Sequence, residues 1–331
     1  MNLKLDSWGT LILSDNLADN IYHWEGKGDF RLEYLSDEIT GNKGGNSCVF
    51  KLVSTEDESQ IFVLKILKYP LKRENRSINE RFEREIEALN KAKEMDFSHV
   101  MQIKNDGFYI HQGHQRISYR YYIMEKADGD LGDIILKSEN KLTLNQKISL
   151  CYDIIRGINE LHCIDIYHRD IKPDNIFLVN ENGKFIWKVG DLGLISNRGA
   201  DLFYEKGRKI GPANWLSPEA MNNALCGKTE WESQFDISID EKSDVFQLGN
   251  VIWFVFNHNA PVGQVTIDDF LIKEYVIFSL IFTMLRHKKN NRKDLRFYEK
   301  YFLKLDELYL TKRSKTSKWF TRKCRQILRT N

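Results

Sequence analysis

The sequence predicts an α+β protein of two unequal lobes, a small β-rich lobe followed by a larger helical one. Three observations support this prediction. The chain has 331 residues, more than the roughly 250–300 residues at which a single core stops growing. Its hydrophobic content of 42% is too high for a disordered chain. Strand patterns precede residue 128, and helical patterns dominate after it.

The first lobe is expected to be a small sheet with one helix. Five segments carry the alternating, β-branched or aromatic pattern of strands: residues 31–39, 48–54, 60–67, those around Phe108, and 118–125. Apolar residues at helical spacing predict an amphipathic helix over residues 78–92. Residues 1–30 form an N-terminal extension that the sequence leaves unassigned.

The second lobe is expected to be mainly helical. Thr143 and Gln146 form a capping box at the start of a long helix. Residues 176–189 read as a hairpin that turns at an Asn-Gly pair, where a positive φ is cheap. Residues 251–256 are apolar all round, which predicts a buried helix.

The net charge of +2 conceals an uneven distribution. From Arg286 onward there are 16 Lys and Arg but only 4 Asp and Glu, so the rest of the chain is mildly acidic. The tail from Thr311 to Asn331 has eight basic residues and no acid. It could bind an acidic partner, anionic lipid or nucleic acid, or dock on the acidic body.

Cysteine usage and hydropathy bear on the compartment. The five cysteines are scattered and form no C-x-x-C pair, which predicts free thiols in a reducing compartment. No export signal is visible at the N-terminus. The longest apolar runs, at residues 251–256 and 275–285, are shorter than the roughly 20 residues of a membrane span. We therefore expect a cytoplasmic protein without a transmembrane segment.

Four motifs could carry chemistry, and the first two lie in the first lobe. Residues 42–49 contain Gly44, Gly45 and Ser47, small residues that would let backbone amides approach phosphate oxygens. An ordinary hairpin turn has the same composition. Lys65 is alone on an apolar strand, and Glu85 lies on the following helix. An inward Lys must be paired, so a structural ion pair and a phosphate-binding Lys both fit.

The other two motifs lie in the second lobe. Residues 168–175 have the sequence HRDIKPDN and so bring carboxylates, basic side chains and an amide into one loop, the kind of segment that carries catalytic groups. A solvated loop could hold the same residues. Asp191 opens the tripeptide DLG and could present a carboxylate to a metal ion, although Asp and Gly are also ordinary turn residues.

In order and spacing, the motifs resemble those of the eukaryotic-type protein kinase family over about residues 31–310. The matching features are the Gly-rich loop at 42–49, the strand lysine Lys65 with its helix partner Glu85, the catalytic loop at 168–175, the metal-binding motif at 191–193, the A-P-E motif at 217–219 and the start of the central buried helix at 243–245. The resemblance implies a bilobal protein-kinase-like fold, with an N-lobe over 31–124, a C-lobe over 128–310 and ATP in the cleft between them.

The resemblance also implies an activity, the transfer of the γ-phosphate of ATP to Ser or Thr hydroxyls of proteins, with autophosphorylation. Asp170 would accept the proton of the substrate hydroxyl, and Lys172 would neutralise the γ-phosphate. Asn175 and Asp191 would hold Mg²⁺, or alternatively Mn²⁺. Lys65 would grip the α- and β-phosphates and be held by Glu85.

Further residues are implied as nucleotide contacts or as structural support. Around the nucleotide these are Gly44, Gly45, Ser47, Val49, Val63, Met124, Glu125, Ala127, Asp130 and Phe177. His168, Leu192 and Leu89 would provide hydrophobic support. Glu219 and Arg292 resemble the buried ion pair that anchors the substrate-binding segment.

Departures from the family pattern leave alternatives open. Only the middle glycine of the Gly-rich loop is kept, which could weaken ATP use. The Lys172-Pro173 pair resembles serine/threonine kinases, whereas residues 212–219 are closer to the tyrosine-kinase loop. We favour Ser/Thr specificity because Lys172 takes part in chemistry. The alternatives are a dual-specificity or tyrosine kinase, an inactive pseudokinase scaffold and a small-molecule phosphotransferase.

Activation could depend on the segment after Asp191. Arg169 beside Asp170 resembles kinases whose activation segment is ordered by a phosphate. Between residues 194 and 211 the hydroxyl residues are Ser196 and Tyr204. Asp201 or Glu205 could supply the negative charge instead, which would make the enzyme constitutively active.

Overall fold

The computed structural model describes residues 3–7, 9–12, 20–35, 45–112, 116–137, 142–198, 211, 213–226 and 236–310. The chain divides into two compact units, one of Met1–Asp96 with Met101–Ala127, the other of Phe97–Val100 with Asp128–Asn331. The first unit is built on a β-sheet and the second mainly on helices. This is the predicted α+β, bilobal architecture.

Among its described residues, the first unit contains two sheets and one long helix. Its elements in chain order are β1 (Lys4–Leu5), β2 (Leu11–Ile12), β3 (Ile21–Trp24), β4 (Gly28–Tyr34), β5 (Ser47–Ser54), β6 (Ile61–Leu67), α1 (Arg76–Glu94), β7 (Ile103–Gln112) and β8 (Arg116–Glu125). Strands β1 and β2 pair with each other, and the other six form an antiparallel sheet in the order β3-β4-β5-β6-β8-β7. All five predicted strand segments therefore have a counterpart, and residues 36–39 of the first lie outside the described part.

Residues 20–30, which the sequence left unassigned, contribute to the main sheet. Tyr22 and Trp24 of β3 are buried and alternate with exposed neighbours. Trp24 packs against Phe30 and Phe62 with ring centroids 5.6 and 5.1 Å apart. Alternation along a strand with one buried face produces this pattern, so β3 is an integral strand of the sheet.

The β1–β2 hairpin packs on the same core as β3. Leu3 and Leu11 are buried in it. The Leu3 amide donates to the Tyr109 hydroxyl at 3.2 Å, and the Tyr119 hydroxyl donates to the Gly9 carbonyl oxygen. The N-terminal residues are thus fastened to β7 and β8 by both apolar packing and hydrogen bonds.

The second unit contains six helices and five short strands among its described residues. They are β9 (Gly129–Asp130), α2 (Leu131–Lys137), α3 (Leu144–Cys163), β10 (Ile166–Tyr167), β11 (Ile176–Glu181), β12 (Lys184–Val189), β13 (Ser196–Asn197), α4 (Pro218–Cys226), α5 (Glu241–Asn257), α6 (Tyr275–Met284) and α7 (Leu295–Leu310). The capping box of Thr143 and Gln146 starts α3 as predicted. Strands β11 and β12 form the predicted hairpin, with Asn182 and Gly183 at φ 53° and 88°.

Helix α5 runs through the core of the second unit. Every residue from Val251 to Asn257 is buried, as the apolar run predicted. Between α5 and α6 the only helical element is a short 3₁₀ turn at Ile267–Asp269. Within the described ranges, the helices are too short or too polar to cross a membrane.

Candidate active site

The HRDIKPDN loop connects β10 to β11 and is held in place by α5. The backbone N–H groups of His168 and Arg169 donate to the two carboxylate oxygens of Asp244, each at 2.8 Å. One turn further along α5, Gln247 accepts from the Ile171 N–H at 3.1 Å and donates to the Arg169 carbonyl at 3.0 Å. Two buried side chains of one helix therefore fix the loop backbone, including Arg169 at φ 68°.

Asp244 holds the loop as a carboxylate. Burial alone would raise its pKa, but a hydrogen bond and the charge of His162, the charge of His168 and the Arg169 N–H together lower the pKa below its ordinary value. His162 Nε2 lies 2.8 Å from Asp244 Oδ2. The resemblance drew attention to Asp244 as part of a helix start, whereas sequence reasoning did not identify His162 or Gln247. The i, i+3 spacing of Asp244 and Gln247 on a buried helix was the available signal.

Asp170 has one carboxylate oxygen engaged and the other available. Oδ2 lies 3.0 Å from Lys172 Nζ and 3.0 Å from Asn175 Nδ2, and both donate to it. Asn175 Nδ2 also donates to the Asp170 backbone carbonyl at 2.8 Å. Oδ1 is buried and has no hydrogen-bond partner within the described ranges. A buried acceptor in this state is rare unless a ligand or water completes it, so Oδ1 is placed to accept a hydrogen bond from a ligand.

Asn175 and Asp191 are brought together by the backbone around Gly190. The Gly190 N–H donates to the Asn175 carbonyl at 3.0 Å, and His168 Nε2 lies 3.2 Å from the Gly190 carbonyl. Asp191 follows at φ 55° with an exposed side chain. Because the Asn175 amide nitrogen faces Asp170, its Oδ1 and the Asp191 carboxylate are the oxygen atoms suited to a cation.

These two oxygens fit Mg²⁺, which is commonly bound by one or two carboxylates together with substrate phosphates. Among the residues that the structure describes, no group of three or more His, Cys, Asp or Glu could hold a metal ion.

In the first unit, Lys65 and Glu85 form the ion pair that the sequence predicted. Lys65 Nζ lies 2.8 Å from Glu85 Oε1, and the Tyr122 hydroxyl donates to the same oxygen at 2.9 Å. Glu85 is on the buried face of α1. The pair presents an ammonium group that a phosphate could approach, since the Lys65 side chain is 14% exposed. Sequence reasoning did not identify Tyr122.

Most residues implied as nucleotide contacts lie on paired strands of their own unit. In the first unit, Val63 is opposite Met124, and Val49 is opposite Lys65. The Glu125 N–H donates to the Gln102 carbonyl at 3.0 Å, and Ala127 is the last residue of this unit. Of the Gly-rich loop, Gly45 is exposed and Ser47 is buried at the start of β5, while Gly44 lies outside the described residues.

In the second unit, Phe177 and Asp130 are directly opposite each other on β11 and β9. Asp130 Oδ1 accepts the Asp133 N–H at 2.8 Å, so this carboxylate caps the first turn of α2. If Asp130 also contacted a ribose, as the resemblance implies, the same carboxylate would have to bind the ribose and cap α2. Leu192 and His168 are both buried, as expected for supporting residues.

Glu219 and Arg292 form the ion pair implied by the resemblance, and both side chains are buried. Burial would raise the pKa of Glu219, but the hydrogen bond and charge of Arg292 and the Ser243 hydroxyl lower it below the ordinary value. The Ser243 hydroxyl lies 2.6 Å from Glu219 Oε1. The pair fixes the start of α4, whose preceding residue Ser217 is also buried.

Of the two hydroxyl residues of the activation segment, the structure describes only Ser196. Ser196 is 2% exposed and pairs with Tyr167 between β13 and β10, so this conformation shields it from modification. Tyr204, Asp201 and Glu205 lie outside the described residues.

Comparison with known proteins agrees with this geometry. A model of the protein kinase domain matches residues 36–329. Dual specificity testis-specific protein kinase 1 of Rattus norvegicus is 27% identical over 205 residues, which cover 60% of this chain and 28% of that protein. Serine/threonine-protein kinase pakG of Dictyostelium discoideum is 30% identical over 203 residues, 61% of this chain and 15% of that protein.

The aligned region spans less than a third of either relative. The family match, in contrast, covers most of this chain and extends into the basic tail. By that match, the chain belongs to the protein kinase domain family.

Proposed function

We propose that this chain is an active protein kinase that transfers the γ-phosphate of ATP to Ser or Thr hydroxyls of protein substrates, its own chain included. The proposal rests mainly on the hydrogen bonding of the Asp170 carboxylate. Its Oδ2 accepts from Lys172 and Asn175, while Oδ1 is buried without a partner in the described residues. A general base must be oriented and must keep one acceptor for the proton that it removes.

Each charged residue has a part in this proposal. Asp170 Oδ1 orients the attacking hydroxyl and accepts its proton, and Lys172 lies beside it to balance the charge that develops on the phosphate. Asn175 and Asp191 supply oxygen ligands for Mg²⁺. When bound, Mg²⁺ would neutralise the phosphate oxygens. Lys65, held by Glu85, binds the remaining phosphates.

Ser/Thr specificity is supported by Lys172 and by the name of the Dictyostelium relative. The rat relative is named a dual-specificity kinase, and residues 212–219 resemble a tyrosine-kinase loop. Dual specificity is therefore the second candidate. An inactive scaffold is disfavoured, since Lys65, Asp170, Asn175 and Asp191 are all present.

The test is transfer of labelled γ-phosphate from Mg-ATP to the chain itself and to a general protein acceptor, followed by identification of the phospho-amino acid. Asp170→Asn should abolish the label. Asp174→Asn is the matched control, because Asp174 is exposed in the same loop, and it should leave transfer intact. Phosphotyrosine alone would contradict Ser/Thr specificity, and absence of label despite ATP binding would contradict the proposed activity.

A further inference from the structure

Tyr122 shares the Glu85 carboxylate with Lys65, and the sheet register brings all three together. Lys65 on β6 and Tyr122 on β8 are directly opposite each other in an antiparallel pair, so their side chains leave the same face of the sheet. Helix α1 contacts β8 and places Glu85 against both. Glu85 Oε1 lies 2.8 Å from Lys65 Nζ and 2.9 Å from the Tyr122 hydroxyl.

The two donors differ in rigidity. The Tyr122 residue is 1% exposed, and its ring packs on Phe82, one turn before Glu85 on α1, with centroids 5.4 Å apart. Lys65 carries its charge on a flexible four-carbon side chain, and under the proposed function it must also bind a phosphate of ATP. A hydrogen bond to a buried carboxylate is stronger than one between neutral groups. The Tyr122 hydroxyl is thus a fixed donor that holds the Glu85 carboxylate even when the Lys65 side chain moves.

We propose that Tyr122 is a positioning residue for ATP: its hydroxyl holds the Glu85 carboxylate so that Glu85 presents the Lys65 ammonium group to the phosphates. This inference rests on the proposed function, which assigns Lys65 to ATP. Lys65, Glu85 and Tyr122 all belong to the first unit, and the hydrogen bond from Tyr122 to Glu85 joins β8 to α1.

The test is Tyr122→Phe in the full chain, which removes one oxygen and keeps the ring packed on Phe82. Tyr121→Phe is the matched control. Tyr121 is the preceding residue on β8 and is also buried, but its hydroxyl lies 3.0 Å from that of Tyr22, away from Glu85. Both variants lose one buried hydroxyl. Tyr122→Phe should lower Tm more than Tyr121→Phe does, because the Tyr122 hydroxyl bonds a carboxylate and the Tyr121 hydroxyl bonds a neutral hydroxyl.

We expect Tyr122→Phe to raise the KM for ATP about three- to tenfold, with the KM for a peptide acceptor unchanged. This is less than the roughly ten- to hundredfold of a full hydrogen bond to a charged group, because Lys65 still pairs with Glu85. A direct measurement of Mg-ATP binding should show the same weakening. A merely structural loss would lower the active fraction and kcat but leave both KM values as they were. Tyr121→Phe should keep the wild-type KM for ATP.

An ATP KM and affinity of Tyr122→Phe equal to those of the wild type would overturn the inference, as would an equal change in Tyr121→Phe. Failure of the proposed function has a different signature, the absence of phosphate transfer by the unaltered chain. The ATP-binding measurement still tests Tyr122 in that case.

Discussion

Glu219 and Arg292 lie 73 residues apart in the chain and form a doubly hydrogen-bonded ion pair in the core of the second unit. Arg292 Nη1 lies 2.7 Å from Glu219 Oε1, and Nη2 lies 3.1 Å from Oε2. The guanidinium also donates to the backbone carbonyls of Arg286, Lys242 and His287. One side chain therefore ties α4 to the N-terminal end of α5 and to the loop that precedes α7.

Loss of the cation should destabilise the protein strongly. Arg292→Met leaves Glu219 as a buried carboxylate without its counterion, and breaking such a pair typically costs about 3–5 kcal/mol of unfolding free energy. Chemical denaturation monitored by tryptophan fluorescence would measure this cost. Arg296→Met, at an exposed position, is the control and should change stability little. A loss below about 1 kcal/mol for Arg292→Met would show that the pair contributes no more than a surface ion pair.

Activity should depend on the absence of a side chain at Gly211, which lies beside Asp170. Its φ is 88°, and a Cβ added there would lie 3.3 Å from Asp170 Oδ1 and 3.3 Å from Leu216 Cδ2. Gly211→Ala should displace the Asp170 carboxylate by a few tenths of an ångström and lower kcat, by less than the roughly hundredfold that a 1 Å misplacement can cost. Steady-state kinetics would measure the effect.

Gly183→Ala separates backbone strain from this contact. Gly183 has the same φ of 88°, but nothing lies within 4 Å of its added Cβ. It should lose roughly 1–2 kcal/mol of stability from the left-handed backbone alone and keep its kcat. Equal kcat values for the two variants would rule out the effect assigned to Asp170.

Substitution of Trp24 would show whether strand β3 contributes to the stability of the main sheet. Its buried ring contacts Tyr22, Phe30 and Phe62. Trp24→Ala should cost about 3–5 kcal/mol of unfolding free energy, as large-to-small core substitutions do. His23→Ala, at the exposed neighbouring position, should have little effect. If the two variants were equally stable, β3 would not belong to the cooperative core.

Local sequence signals predicted the elements whose structure is local. The capping box of Thr143 and Gln146 and the Asn-Gly turn at 182–183 depend on neighbouring residues, and both formed as expected. The polar residues of the HRDIKPDN loop are likewise close in sequence, within eight residues. In the structure, Lys172 and Asn175 both donate to Asp170.

Long-range contacts explain what the sequence could not indicate. Gln247 reaches the loop from 76 residues away, and Tyr122 meets Glu85 only because β6 and β8 pair in one register. Strand β3 has only four residues, too few for its alternation to stand out. The burial of Ser196 likewise depends on the pairing of β13 with β10, which no local pattern encodes.

His99 should make the stability of the second unit depend on pH. It is buried, with Nδ1 3.2 Å from Glu160 Oε1 and Nε2 3.5 Å from Asp153 Oδ1, both on α3. Burial lowers the pKa of His99, but hydrogen bonds and charges of the two acids outweigh it and raise the pKa above the ordinary value. The folded protein therefore holds the imidazolium more strongly than the unfolded chain does.

The direction of the pH effect follows from this raised pKa. The stabilisation is fully present below the unfolded-state pKa of about 6.5 and is lost as the pH rises through the folded-state pKa. His99→Gln should therefore cost more unfolding free energy at about pH 6 than at about pH 9, pH values on either side of an ordinary histidine pKa. Denaturation curves at both pH values would measure the difference. The control is His287→Gln, the same substitution at an exposed position. If the unfolding free energy lost in His99→Gln stays constant with pH, His99 contacts Glu160 and Asp153 through hydrogen bonds alone and remains neutral in the folded protein.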